Sequence, residues 1–293
     1  MNSKCISIKR IIIINIIAIL FSAIFAIIVH ALLPSSLDDI QFDSILVELF
    51  GFPFVASLYF IVLFTHCAIA VRYIGVRSEA TKFQIGIRFG VVFAMIYLLG
   101  MQEVVVEATA FSEWGLGFVK HNFIMGIGDA IPAISLCFVI SFFTIANKEK
   151  SNLIHKLNFS DIIKAVSIIA FAIVVGRTFA YESGIITSNY DTYPIPTYVW
   201  TVLFGLMLGF IYVILYPLLA YKNNLNYIPL RLAIVVGLNW IIFNCFIGLI
   251  FKDTMFEMLL RSGLDVLIFF IASIIIGKYI IAKEFISKDR FYG

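Results

Sequence analysis

Charge is scarce in this chain. Asp, Glu, Lys and Arg make up 13% of its 293 residues, whereas 62% are hydrophobic and the mean hydropathy is +1.04. A soluble domain of this length cannot hide so much apolar surface, so a water-soluble fold is excluded and a bilayer is the solvent that fits. Cysteine is nearly absent as well: Cys5, Cys67, Cys137 and Cys245 show no CxxC or other ligand spacing. They offer no redox or metal framework and read as small apolar residues, three of them inside hydrophobic runs. HExxH, GxSxG, Walker A and GxGxxG signatures are missing where their chemistry would need them, so nothing assigns an enzymatic activity, a cofactor or a metal. The short alternating strands of a membrane β-barrel are lacking too. The net charge of +3 is no sign of a nucleic-acid partner, because its distribution follows a membrane rule instead.

What the chain does contain is eight long apolar runs, at 11–33, 50–72, 84–104, 123–146, 162–182, 197–220, 229–251 and 264–282. Each approaches the roughly 20 residues that a helix needs to cross a hydrocarbon core of about 30 Å. The expected fold is all-α: a polytopic integral membrane protein of eight transmembrane helices. The connections leave no room for a soluble domain, so residues 1–293 read as a single membrane domain. Lys4, Lys9 and Arg10 resemble the start of a signal peptide, but the apolar stretch that follows is too long for a cleavable one and reads as a retained helix.

Seventeen of the 21 Lys and Arg residues fall at the two ends and in the even-numbered connections; the opposite side has only Lys120, Arg177, Lys252 and Arg261. Positive loops stay cytoplasmic, which places both termini inside and the protein in the cytoplasmic membrane. Thirteen of the 18 acidic residues lie on the outer half, among them Asp38, Asp39, Asp43 and Glu48, so the outer mouth should be electronegative. Trp114, Tyr190, Tyr193, Tyr198 and Trp200 suit an outer headgroup belt.

The two halves resemble each other weakly. Pro53 and Pro196, Arg88 and Arg231, and Tyr73 and Tyr216 are each 143 residues apart, and Tyr97 falls opposite Trp240 at that spacing. Asp129 and Asp265 correspond at an offset of 136. These matches suggest a tandem 4+4 repeat, residues 1–150 and 151–293. An even number of helices per repeat puts the pseudo-axis along the membrane normal, with a cleft between the halves.

Charges and amides inside apolar segments are costly unless they snorkel, pair or face water. Arg88 and Arg231 lie near cytoplasmic ends and can snorkel. In the outer half, Glu103 and Glu107 are expected on one face of the third helix at i,i+4. His30, His121 and Asp129 fall at similar depths near the outer ends, Arg177 and Glu182 close the fifth helix, Arg261 and Asp265 are i,i+4, and Asn239 and Asn244 lie deeper in the seventh. Glu103, Glu107, His121, Asp129, Arg177, Glu182, Asn239, Asn244 and Asp265 are the candidate substrate-binding residues of a pocket open to the outside. Ordinary ion pairs are the alternative reading, Arg177 with Asp129 or Glu182 for example.

Gly126-Ile127-Gly128-Asp129 resembles the GxGD signature of intramembrane aspartyl proteases. That resemblance implies two intramembrane aspartates activating a water. In the family the second aspartate precedes the motif in a Tyr-Asp; here the preceding segment offers Glu103, and Tyr190-Asp191 comes later. A Pro-Ala-Leu motif is absent, and Asp265 is the one symmetric partner for a dyad. The leading expectation is a small-solute transporter or permease-like binder. A membrane subunit or sensor is the alternative, and proteolysis ranks third.

Overall fold

The computed structural model describes residues 7–33, 42–106, 115–146, 157–221 and 225–278. Among them there is no β-strand, and eight helices are long and apolar enough to cross a membrane. In chain order the helices are α1 (Ile8–Leu32), the short α2 (Ile45–Phe50), α3 (Phe52–Gly75), α4 (Lys82–Gly100) and α5 (Leu116–Thr144). Then follow α6 (Phe159–Glu182), α7 (Pro194–Leu219), α8 (Ile228–Leu232), α9 (Leu238–Ile250) and α10 (Met255–Ile276). A π-helical stretch, Ala233–Gly237, joins α8 to α9, so Leu225–Ile250 is one span. Glu107, Trp114, Cys5, Asp38, Asp39 and the basic residues Lys4, Lys148, Lys150, Lys156, Lys222, Lys283, Lys288 and Arg290 lie outside the described residues.

Local chemistry sets several helix starts. Thr81 and Gln84 form a reciprocal capping box ahead of α4, satisfying two otherwise orphaned N–H groups. Asn158 accepts from the Asp161 amide at the start of α6, and Ser44 accepts from Val47 at the start of α2. Pro53 and Pro194 occupy first-turn positions of α3 and α7, where a missing N–H costs nothing.

Two expected boundaries move for physical reasons. The third span stops at Gly100, and the chain turns through Met101 and Gln102 into a 3₁₀ turn, Glu103–Val105. Glu103 therefore sits in a 3₁₀ turn rather than on the third helix, and its expected i,i+4 partner Glu107 lies outside the described residues. The eighth span begins at Met255, well before residue 264. Its first two turns carry the charged Glu257 and Arg261, which face each other one turn apart at 3.5 Å.

Helix α1 buries only a stripe of small residues, Ala18, Ser22, Ala23 and Ala26, while Ile12, Ile16, Phe21 and Ile24 stay exposed. Small residues let backbones approach, and the bulky apolar side chains suit lipid. The same device joins α4 to α5: a Cβ on Gly126 would lie 3.0 Å from both the Leu98 Cα and the Tyr97 carbonyl oxygen.

Within the first group of helices, α1 packs on α3 and α5, and α5 on α4. Within the second, α6 packs on α7 and α10, and α10 on α9. Between the groups, α3 meets α9 and α4 meets α7. At the centre an aromatic file runs from α7 through α9 to α4: Trp200, Phe204, Trp240, Phe243 and Tyr97, with successive ring centroids 4.8–5.8 Å apart. Offset aromatic contacts of this kind add to simple burial.

Candidate functional site

On one side of the aromatic file lies a sealed cluster of charge. Arg177, from the last turns of α6, donates from Nε to Asp265 Oδ1 at 2.7 Å and from Nη2 to Asp265 Oδ2 at 2.5 Å. Nη2 also reaches Glu103 Oε1 at 2.6 Å, and Nη1 donates to the Tyr181 hydroxyl at 2.9 Å. The guanidinium stacks over Trp200 and Phe204, 4.7 and 4.8 Å from their centroids. Trp240 Nε1 adds a donor to Asp265 Oδ2 at 2.9 Å. Arg261 completes the cluster, 3.9 Å from Glu103, and donates to the Thr187 carbonyl. Arg177, Arg261, Glu103 and Asp265 are all buried, so two positive and two negative groups balance away from solvent. A buried pair adds little net stability, but removing one partner leaves an uncompensated charge. This arrangement fixes α6, α7, α9, α10 and the Glu103 turn relative to one another.

Phe243 of the file also lines a cavity of about 510 Å³. Its wall comes from the end of α1, the start of α3, the end of α4, the first half of α5 and the second half of α9. Most of the lining is apolar or aromatic, including Tyr59, Phe60, Phe118 and Phe246; the polar members are His30, Glu103, His121, Asn122, Asp129 and Asn244. His30 Nε2 lies 2.7 Å from Asp129 Oδ1. Asp129 sits about 20 Å along α5 at 1.5 Å per residue, close to the middle of the helix rather than near its outer end, because α5 begins earlier than the hydropathy run suggests. Glu103 belongs to both features: it lines the cavity and carries Arg177 behind it.

A third polar group lies where α9 leaves the π-helical stretch. Tyr97 donates to Asn239 Oδ1 at 3.2 Å, and Asn239 Nδ2 contacts Cys67 Sγ at 3.4 Å and His66 Nδ1 at 3.3 Å. The other His66 nitrogen faces the Ile234 carbonyl at 3.1 Å, inside the π-helical stretch. A π-helix spoils the regular ladder and leaves carbonyls for side chains to use.

Of the residues singled out from sequence, Glu103, His121, Asp129 and Asn244 line the cavity. Arg177 and Asp265 form the sealed cluster, and Asn239 belongs to the third network. Glu182 is exposed and accepts from the Tyr198 hydroxyl, at 3.3 Å. Glu107 falls outside the described residues. Arg177 pairs with Asp265 and Glu103 rather than with Asp129 or Glu182. The two aspartates form no hydrogen bond with each other among the described residues: Asp129 lies against His30 and Asp265 against Arg177. Sequence reasoning missed Asn122, Tyr59 and His66, and counted Trp240 as a repeat marker rather than as the donor to Asp265. The pattern Phe118, His121, Asn122, Met125, Asp129 is a helical stripe that marks the cavity face of α5 and was open to view in the sequence.

The fold and these sites define an all-helical chain whose eight apolar helices have the architecture of a multi-pass membrane protein. No family model, curated protein or solved structure matches the chain.

Proposed function

We propose that the protein binds a small solute in the cavity beside Asp129 and carries it across the cytoplasmic membrane. The observation that carries this reading is the cavity itself: about 510 Å³ among helices, mostly apolar, with a few buried polar groups converging on it. That combination is typical of small-molecule sites. Intramembrane acids and amides are costly to keep where they serve no purpose, which favours a functional site over mere packing. The π-helical stretch in the span that walls the cavity fits a helix interrupted near a binding site.

The helix pairing supports a 4+4 repeat as the framework for movement. First on second, first on fourth and third on fourth recur in both groups, and each group's second helix meets the other's third. A two-fold pseudo-axis along the membrane normal produces that set of contacts. Under it, His30–Asp129 between α1 and α5 corresponds to Arg177–Asp265 between α6 and α10. Positive-loop placement orients the cavity mouth outward and both termini inward. Proteolysis draws no support from the separate pairing of the two aspartates, because a shared-proton dyad needs them in contact.

The test is uptake into proteoliposomes across a broad panel of labelled solutes. At least one should accumulate, and accumulation should fall when Phe243, in the cavity wall, is enlarged to Trp. Absence of uptake for every solute class would remove the carrier reading.

A further inference from the structure

We infer that the cavity takes a small amphipathic amine, with its ammonium on Asp129 and a hydrogen-bonding polar atom on Asn122. This rests on the solute-binding reading above and narrows it to one chemical class.

The sign of the cavity comes first. Among the described residues its lining includes two carboxylates, Glu103 and Asp129, and no Lys or Arg. The guanidinium behind Glu103, that of Arg177, is fully buried and committed to Glu103 and Asp265. His30 and His121 are the other ionisable lining groups besides Tyr59, and His30 is already engaged with Asp129. With Glu103 balanced by Arg177 and Arg261, Asp129 sets the sign: its carboxylate repels an anionic solute and attracts a cation.

Two polar side chains in the wall are then left with unmet capacity. Asp129 uses Oδ1 for His30, and its Oδ2 makes no hydrogen bond among the described residues. Asn122 is 5% exposed and its Nδ2 is buried without a hydrogen-bond partner among the described residues. Leaving such groups unpaired is expensive, so each signals a missing partner. A carboxylate oxygen wants a donor, which an ammonium supplies with charge assistance. The Asn122 amide offers a donor of its own. The two residues sit two turns apart on the same face of α5, about 10 Å along the axis, with Met125 between them.

The remaining wall fits the rest of such a molecule. Tyr59, Phe60 and Phe243 present rings, which favour a nearby cation as well as an apolar body. A bare metal ion fits less well: among the described residues no three His, Cys, Asp or Glu side chains gather into a ligand set.

The experiment uses purified full-length protein in nanodiscs and calorimetric titration with para-methoxyphenylbutylamine, the matching alcohol and the matching carboxylate. The three share a body and differ in head group. The amine should bind, the alcohol about tenfold more weakly, equivalent to about 1.4 kcal/mol, and the carboxylate not measurably. Asp129→Asn should weaken the amine about tenfold. Asn122→Ala removes an amide whose Nδ2 has no partner among the described residues, so the fold is expected to survive; it should weaken the amine about threefold, and removing the methoxy group should then have no further effect. Amine affinity unchanged in both variants overturns the inference. Equal binding of amine and carboxylate also overturns it, while leaving a solute cavity in place. No binding by any of the three overturns both readings. Amine binding without proteoliposome uptake supports the inference and removes only the carrier.

Discussion

Arg177 meets Asp265 through two parallel hydrogen bonds, of 2.7 and 2.5 Å, that tie α6 to α10 across 88 residues of sequence. His30 and Asp129 tie α1 to α5 across 99 residues, at 2.7 Å. The two pairs differ in character. Arg177 is planar, permanently charged and sealed by aromatic rings, which suits a fixed joint. His30 is partly exposed and its partner lines a cavity, which suits a site that exchanges ligands.

Breaking the sealed pair from one side should be far worse than removing both members. Asp265→Leu alone leaves Arg177 short of its main acceptor and should destabilise by about 3–5 kcal/mol. The double variant Arg177→Met, Asp265→Leu should lose much less than the sum of the singles. Thermal unfolding in detergent across this double-mutant cycle measures the difference. Additive losses would show that the two groups are not coupled.

Asn239 holds three side chains at once, so Asn239→Leu should cost about 1–3 kcal/mol by leaving the buried Tyr97 hydroxyl only the weak sulfur partner Cys67. The loss should be localised. Hydrogen exchange in the π-helical stretch Ala233–Gly237 should rise, because His66 loses the amide that orients it toward the Ile234 carbonyl. Unchanged exchange there would separate the π-helical stretch from the network.

Glycine packing makes a sharper contrast. Gly126→Ala places a methyl 3.0 Å from backbone atoms of α4, which cannot yield as a flexible side chain does. A loss of about 1–3 kcal/mol is expected. Gly263→Ala on α10 meets open space and should be neutral or slightly stabilising, since alanine favours helix. Melting temperatures of the two variants, measured side by side, check the prediction.

Orientation is accessible by labelling in a cysteine-free background. Ser183→Cys follows α6 and Glu79→Cys precedes α4, both at exposed positions on opposite ends of the bundle. An impermeant maleimide added to intact cells should label the former and spare the latter. The reverse pattern would invert the topology read from the basic loops.

The sequence by itself determined the eight spans, the all-helical class and the residues whose presence in a membrane demands explanation. Each of these is a property of one helix: about 20 apolar residues either suffice to cross or do not, and an aspartate in such a run is costly wherever its partner stands. Tertiary structure alone decided which partner that was. Asp265 finds Arg177 88 residues away, Glu103 finds Arg177 at 74, and His30 finds Asp129 at 99. Helix depth narrows such choices but rotation about each axis decides them, and rotation follows from close packing at residues such as Gly126. The cavity beside Asp129 likewise belongs to no single segment: it is the space left where five helices fail to fill one another's grooves.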